Sequence, residues 1–285
     1  MPRRISLRCI CLAFSVALVA LANCALPAEA ASGLRLYAAD CGRLDFKTLD
    51  SFSDTDEYDG RPGSLIVPCF IIRHARDTLV WDFGLGDTLV ANKAGIDSGP
   101  VHLSATVTLV DQLQTLGLTP ADVTFVAFSH LHFDHTGNAN LFPGATWIIN
   151  RRELAYALSE PRPFGVALET FSAYSKAKTV MIDGDYDVFG DGSVRILRTP
   201  GHTPGHQILE LHLKKAGTLI LSGDLYHLRE SVATHRLPIV NVDRADTLAS
   251  MDRVDKLLAT THGRLIVQHD YGDFESLPKL PAFLD

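Results

Sequence analysis

Cysteine is scarce in this chain of 285 residues: there are five, and Cys9, Cys11 and Cys24 fall within the first thirty positions. Cys41 and Cys69 remain, and neither has the spacing of a thiolate metal site. In an oxidising compartment two such thiols can pair, but sequence alone leaves open whether they approach. Positive charge is also short, with 26 basic against 33 acidic residues and a net charge of −7. That balance disfavours nucleic acid and anionic membrane as partners. Long hydrophobic runs are missing too, since the apolar stretch from Cys9 to Leu21 is shorter than the roughly 18 to 20 residues of a spanning helix.

What that stretch does resemble is an export signal. Arg3, Arg4 and Arg8 precede it, and Ala28-Glu29-Ala30 follows as an Ala-x-Ala cleavage site. Residues 1–30 are therefore expected to be a signal peptide cut after Ala30, leaving a periplasmic or secreted chain with no stable membrane insertion. Leu21-Ala22-Asn23-Cys24 half resembles a lipoprotein box, but Asn23 is a poor residue before a modified cysteine. Losing Arg3, Arg4, Arg8 and Glu29 from the 26 basic and 33 acidic residues leaves 23 and 32, so the mature chain is more acidic still. No fixed-period repeat, low-complexity tract or internal break divides 31–285, and 46% apolar composition supports one globular core. No motif sets an oligomeric state.

Hydrophobic periodicity predicts alternating strands and helices, an α/β chain. Strands are expected over 34–38, 64–73, 78–81, 122–129, 145–150, 192–198, 207–213, 218–222 and 265–268. Residues 75–77 read as a hairpin turn, and 82–86 as a glycine-rich loop. Helices are expected over 103–116, with Leu109, Leu113 and Leu116 on one face and Gly117 as the stop, and over 151–159 and 246–259. The segment 160–178 reads either as a helical excursion over an active site or as a plain surface connection.

The strongest signal lies at the end of the apolar run 122–129. Ser129-His130-Leu131-His132-Phe133-Asp134-His135 packs three imidazoles and a carboxylate into six positions. A polar turn has no use for so much ligand chemistry. Imidazole and carboxylate without thiolate suit Zn²⁺ and leave coordination positions for a water, the expected nucleophile. His202, Asp224 and His269 are each the first strongly coordinating side chain beyond another β run. One sheet edge could aim all of them at one point.

In this order, His130-x-His132-x-Asp134-His135, Gly201-His202-Thr203-Pro204-Gly205-His206, Ser222-Gly223-Asp224 and His269 resemble the motifs of the metallo-β-lactamase-fold hydrolases. They run from Asp82 to His269, most of the mature chain. Residues 37–44, Trp81-Asp82-Phe83-Gly84, the His130–His135 wording and Gln268-His269-Asp270 are most similar to N-acyl-homoserine lactonases. The resemblance implies an αββα sandwich over 31–285 and two Zn²⁺ per chain. His130, His132 and His202 would hold one metal, and Asp134, His135 and His269 the other. Asp224 would bridge the two together with a hydroxide, and Asp134 would also pass a proton to the leaving alkoxide. The implied partner is a small-molecule ester or lactone, and the implied reaction is opening of an acyl-homoserine lactone ring, which quenches quorum signals.

One departure stands out. These lactonases commonly carry tyrosine three residues after the bridging aspartate, whereas this chain has His227 there and Tyr226 before it. Either could donate to the substrate carbonyl, so the substrate is left open while the metals are not. His206 and Asp82 are expected to orient ligands rather than bind metal. Among rival activities, a β-lactamase is disfavoured by Asp224, and an aryl phosphotriesterase remains open because a hydroxide that attacks carbonyl carbon can also attack phosphorus. A non-catalytic zinc-binding relic would be expected to lose ligands, and none of the seven is missing.

Overall fold

Runs rich in leucine, isoleucine, valine and aromatic residues pair into two sheets in the computed structural model, which describes residues 33–285. The expected leader over 1–30 lies outside the described residues. The larger sheet is built from β1 (Arg35–Phe46), β2 (Gly63–His74), β3 (Asp77–Trp81), β4 (Ile96–Ser98), β5 (Val101–Ser104), β6 (Phe125–Ala127), β7 (Thr146–Asn150) and β8 (Lys178–Ile182). Their spatial order is β4-β5-β1-β2-β3-β6-β7-β8. The first five pair antiparallel, while β3, β6, β7 and β8 run parallel. The smaller sheet takes β9 (Tyr186–Asp187), β10 (Val194–Arg198), β11 (Gln207–Leu213), β12 (Gly217–Leu221) and β13 (Arg264–Ile266), in the order β13-β12-β11-β10-β9. All of its pairs are antiparallel except β12 with β13.

Side-chain alternation sends one face of each sheet into a shared core. Phe70, Leu79 and Trp81 of the larger sheet meet Ile196, Leu209 and Leu221 of the smaller. The other face of the larger sheet packs Val80, Val126 and Trp147 against Leu109 and Leu113 of the helix Leu109–Thr115 and Ala157 of Arg151–Ala157. Outside the smaller sheet, Ile208 and Ile220 meet Met251 and Val254 of the helix Arg244–Thr261. The chain is thus the expected helix–sheet–sheet–helix sandwich. Each fully buried aliphatic or aromatic side chain contributes roughly 1.5–3 kcal/mol.

The helix expected over 103–116 is wrong in its first half. Val101–Ser104 is a strand, β5, paired with Arg43–Phe46 of β1, and Ile96–Ser98 is a further strand that the periodicity did not reveal. Thr108 sits in extended conformation and its side chain accepts from the Asp111 backbone N–H at 2.9 Å, capping a helix that begins only at Leu109. The strand expected over 122–129 is confined to Phe125–Ala127, because Pro120–Asp122 forms a 3₁₀ turn and the chain leaves the sheet after Ala127. The segment 160–178 carries two short helical turns, Leu168–Phe171 and Ser172–Ser175. Phe171 of the first of them is buried beneath the sheet.

Cys41 and Cys69 form a disulfide with Cα atoms 5.8 Å apart. It joins β2 to the irregular step in β1, where the register shifts between Asp40 and Arg43. Gly84 lies against Cys41 so closely that a Cβ would collide with it, at a φ of +62° that also favours glycine. Among the described residues, no helix is long and apolar enough to cross a membrane.

Candidate active site

The motif residues all stand just beyond strand ends. Asp82 follows β3, Phe128 to His135 follow β6, His202 follows β10, Asp224 follows β12, and His269 lies three residues past β13. Because β3 runs parallel to β6 and β12 to β13, these loops leave at one edge of the sandwich. The short helix Phe133–Thr136 starts immediately after His132 and presents Asp134 and His135 on its first turn.

Two clusters of ligand atoms result. His130, His132, His202 and Asp224 form one, and Asp134, His135 and His269 the other, all of them buried. His202 Nε2 lies 3.2 Å from both His130 Nε2 and His132 Nδ1. His135 Nε2 lies 3.2 Å from His269 Nε2. Asp224 faces both groups: its Oδ1 is 3.0 Å from His135 Nε2 and from His269 Nε2, while its Oδ2 is 3.4 Å from His202 Nε2 and 3.7 Å from His130 Nε2. Asp134 Oδ2 stands 3.7 Å from His135 Nε2 and 3.8 Å from His269 Nε2. Ligands around a tetrahedral zinc at 2.0–2.1 Å are separated by about 3.3 Å, so these spacings and this thiolate-free donor set fit two borderline cations.

The second nitrogen of each ring decides which one faces inward. His135 Nδ1 meets Asp82 Oδ2 at 2.9 Å, and Asp82 also accepts from the Ser129 backbone N–H at 2.7 Å and from Gln268 Nε2 at 2.6 Å. Asp82 holds this position with φ +56°, unusual for a residue with a Cβ and typical of strain kept at functional sites. His269 Nδ1 donates to the Ile66 carbonyl at 2.7 Å, and His202 Nδ1 pairs with Asn241 Oδ1 at 2.9 Å. His206, expected to orient a ligand, pairs through Nδ1 with the Thr199 carbonyl, leaving Nε2 to accept from the Asp224 backbone N–H at 2.9 Å. Sequence reasoning missed Gln268 as the neighbour that ties Asp82 to β13, and Asn241 and Glu153 altogether.

Burial and charge split the histidines into two kinds. Desolvation holds His130 and His132 well below the usual imidazole range and pushes His202 down to about 4, so all three offer lone pairs at neutral pH. Burial acts the same way on His135 and His269, but Asp224 and the other nearby carboxylates outweigh it and raise both. Desolvation works against the Asp224 charge, yet the surrounding histidines hold its carboxyl well below the usual carboxylate range. Cations entering here displace protons from this second group, so their binding competes with acid.

Of the two residues singled out after Asp224, the structure brings one to the site. His227 Nε2 is 3.0 Å from Asp224 Oδ2, and its ring packs on Phe52 and His269 with centroids 5.0 and 5.9 Å away. Tyr226 is buried with Leu225, Leu237 and Met251 on the far side, its hydroxyl without a partner among the described residues. Burial, then the Asp255 charge, push its phenol above the usual range. The chain is extended at Tyr226, so consecutive side chains point to opposite sides. A cavity of about 880 Å³ opens onto the clusters, with His132, Asp134, Asp224, His227 and His269 at its floor and Phe46, Leu65, Leu103, Phe133 and Val166 among its walls. Such a space takes a small molecule with a polar reacting end and an apolar remainder.

Residues 62–269 match the sequence model of the metallo-beta-lactamase superfamily. The chain is 30% identical over 263 residues to the N-acyl homoserine lactonase AttM of Azorhizobium caulinodans, which covers 88% of this chain and 99% of that relative. It is 26% identical over 262 residues to the N-acyl homoserine lactonase AiiA of Bacillus thuringiensis subsp. kurstaki, covering 88% and 98%. A solved N-acyl homoserine lactone hydrolase, with N-hexanoyl-L-homoserine bound at its catalytic metal center, superimposes with a TM-score of 0.76 at 25% identity, over 88% of this chain and 99% of that one. With sequence, fold and a seven-residue His/Asp centre in agreement, the chain belongs to the metallo-beta-lactamase superfamily, close in sequence and structure to its N-acyl homoserine lactonases.

Proposed function

We propose that this protein is an exported dinuclear zinc hydrolase that opens the lactone ring of N-acyl homoserine lactones. The observation that carries the reading is Asp224, whose two carboxylate oxygens face the two histidine groups separately. Bound there, two zinc ions would lower the pKa of a shared water and polarise the ester carbonyl. His130, His132 and His202 would hold one ion and Asp134, His135 and His269 the other, with Asp224 common to both. In the reaction the water oxygen bonds to the carbonyl carbon, the ring C–O bond breaks, and Asp134, at the cavity floor, returns the proton to the ring oxygen. His227, on the same floor, donates to the carbonyl oxygen as charge builds on it.

The apolar walls support an acyl-bearing substrate rather than a compact charged one. A panel of N-hexanoyl homoserine lactone, a cephalosporin and an aryl phosphotriester separates the candidate reactions on one preparation. The expected kcat/KM for the lactone exceeds the other two by about 100-fold or more. The preparation should carry close to two zinc ions per chain and lose activity to a chelator. Turnover of the cephalosporin or phosphotriester with none of the lactone would overturn the substrate assignment.

Export rests on the arginine, apolar and Ala-x-Ala pattern of residues 1–30. Protein recovered from its host should begin at or near Ala31 and fractionate outside the cytoplasm. An intact Met1 terminus in the cytosol would refute this, and fatty-acid labelling of Cys24 would move the assignment to a lipoprotein.

A further inference from the structure

We infer that Glu153 is a positioning residue that locks together the two loops carrying His130, His132 and His202, and so sets the affinity of that half of the metal centre. The inference rests on the two-metal reading above. Glu153 sits on the helix Arg151–Ala157, touches neither ligand cluster, and is 2% exposed. Its Oε1 accepts from the Leu131 backbone N–H at 2.9 Å, between His130 and His132. Its Oε2 accepts from Thr203 Oγ1 at 2.7 Å and from the Gly205 backbone N–H at 3.1 Å, just after His202. One side chain thus joins two loops about seventy residues apart in sequence, and both feed the same ligand group. In the other group, His135 is held by Asp82 and His269 by the Ile66 carbonyl instead.

The chemistry calls for a carboxylate at this place. All three partners are neutral, and two of them are backbone N–H groups that can only donate. An ionised carboxylate is acceptor-only and serves both loops at once. A carboxamide of the same shape must turn its NH₂ toward either the Leu131 N–H or the Gly205 N–H, leaving two donors face to face. Gly205 shows how closely the loop is drawn in, because a Cβ there would collide with the Glu153 backbone. Burying an anion without a cationic partner is costly, and a general packing role would be served by an apolar residue.

The test titrates metal-free protein with Zn²⁺ against a chelating dye, for wild type, Glu153→Gln and Thr203→Val. Wild type should take two equivalents tightly. Glu153→Gln should keep one and bind the other about 10- to 100-fold more weakly, the range found when an outer partner of a ligand is lost. Thr203→Val, which removes one donor of three, should weaken the same equivalent by a smaller factor, with the metal-free Tm of both variants lowered by about 10 °C at most, the cost of one buried hydrogen bond left unmade. In cobalt-loaded Glu153→Gln, the paramagnetically shifted ring N–H signal of His202 should be lost while those of His135 and His269 persist. Two equivalents at wild-type affinity in both variants would overturn the inference. So would equal weakening of both equivalents with a collapse in metal-free Tm, the mark of a general structural role. If Glu153→Gln does not fold, Thr203→Val alone decides between the same outcomes. Wild type that binds fewer than two equivalents would sink the dinuclear reading itself, and this inference with it.

Discussion

Asp224→Ala should reduce lactone turnover by about 1,000-fold or more and leave the protein unable to hold two metals together. Loss of an outer partner that merely orients a ligand costs 10- to 100-fold, and Asp224 stands closer to the reaction than any such partner. Its Oδ1 lies 3.0 Å from His135 and His269, and its Oδ2 3.4 Å from His202. Asp134 cannot replace it, because its carboxylate approaches only His135 and His269. Removing Asp224 also withdraws the largest negative charge that raises those two histidines, leaving them Asp134 and Asp82 but the two groups no shared anion. Asp224→Glu keeps the charge but lengthens the arm, and it should displace the metals rather than eliminate them. Metal content by elemental analysis and kcat on N-hexanoyl homoserine lactone measure both effects. An Asp224→Ala protein with two metals and turnover within tenfold of wild type would end the bridging assignment.

How much of this was legible depended on the distance over which each feature is specified. Four of the seven candidate ligands could be read from the His130–His135 motif, and His202, Asp224 and His269 because each is the first coordinating side chain after a β run, strand ends being set by local hydrophobic pattern. The sandwich was legible for the same reason, together with the motif resemblance. The 103–116 segment failed in its first half because the helical face of Leu109, Leu113 and Leu116 does not extend back to Leu103, where the edge of β1 offers a ladder. The disulfide could not be decided because its register depends on the irregular step after Asp40, which sequence does not announce. Glu153 was invisible for a stronger reason. In Arg151-Arg-Glu-Leu-Ala-Tyr-Ala157 it has the look of a solvent-facing helix residue, and only the tertiary approach of the loops at Leu131 and Gly205 buries it.

The pair after Asp224 is where the fold adds a choice the sequence left open. An extended chain at Tyr226 allows only one of the two neighbouring side chains to face the cavity, and that side chain is His227. Its Nε2 faces the centre, 3.0 Å from Asp224 Oδ2, while its Nδ1 is buried with no partner among the described residues. With cations on the Asp224 oxygens, Nε2 is the ring nitrogen that would be free to donate to a substrate oxygen in the cavity. His227→Ala should therefore lower kcat on the lactone by about 100- to 1,000-fold, the usual cost of one lost oxyanion donor, with both metals retained. Tyr226→Phe should leave kcat nearly unchanged. Its hydroxyl is buried with no partner, so removing it should also keep or raise the Tm. Steady-state kinetics, metal analysis and thermal unfolding of the two variants read these outcomes together. A large kcat loss in Tyr226→Phe with none in His227→Ala would reverse the roles. If neither variant changes lactone turnover, neither side chain is the carbonyl donor and the oxyanion role assigned to His227 fails, leaving polarisation of the carbonyl to the metal centre alone.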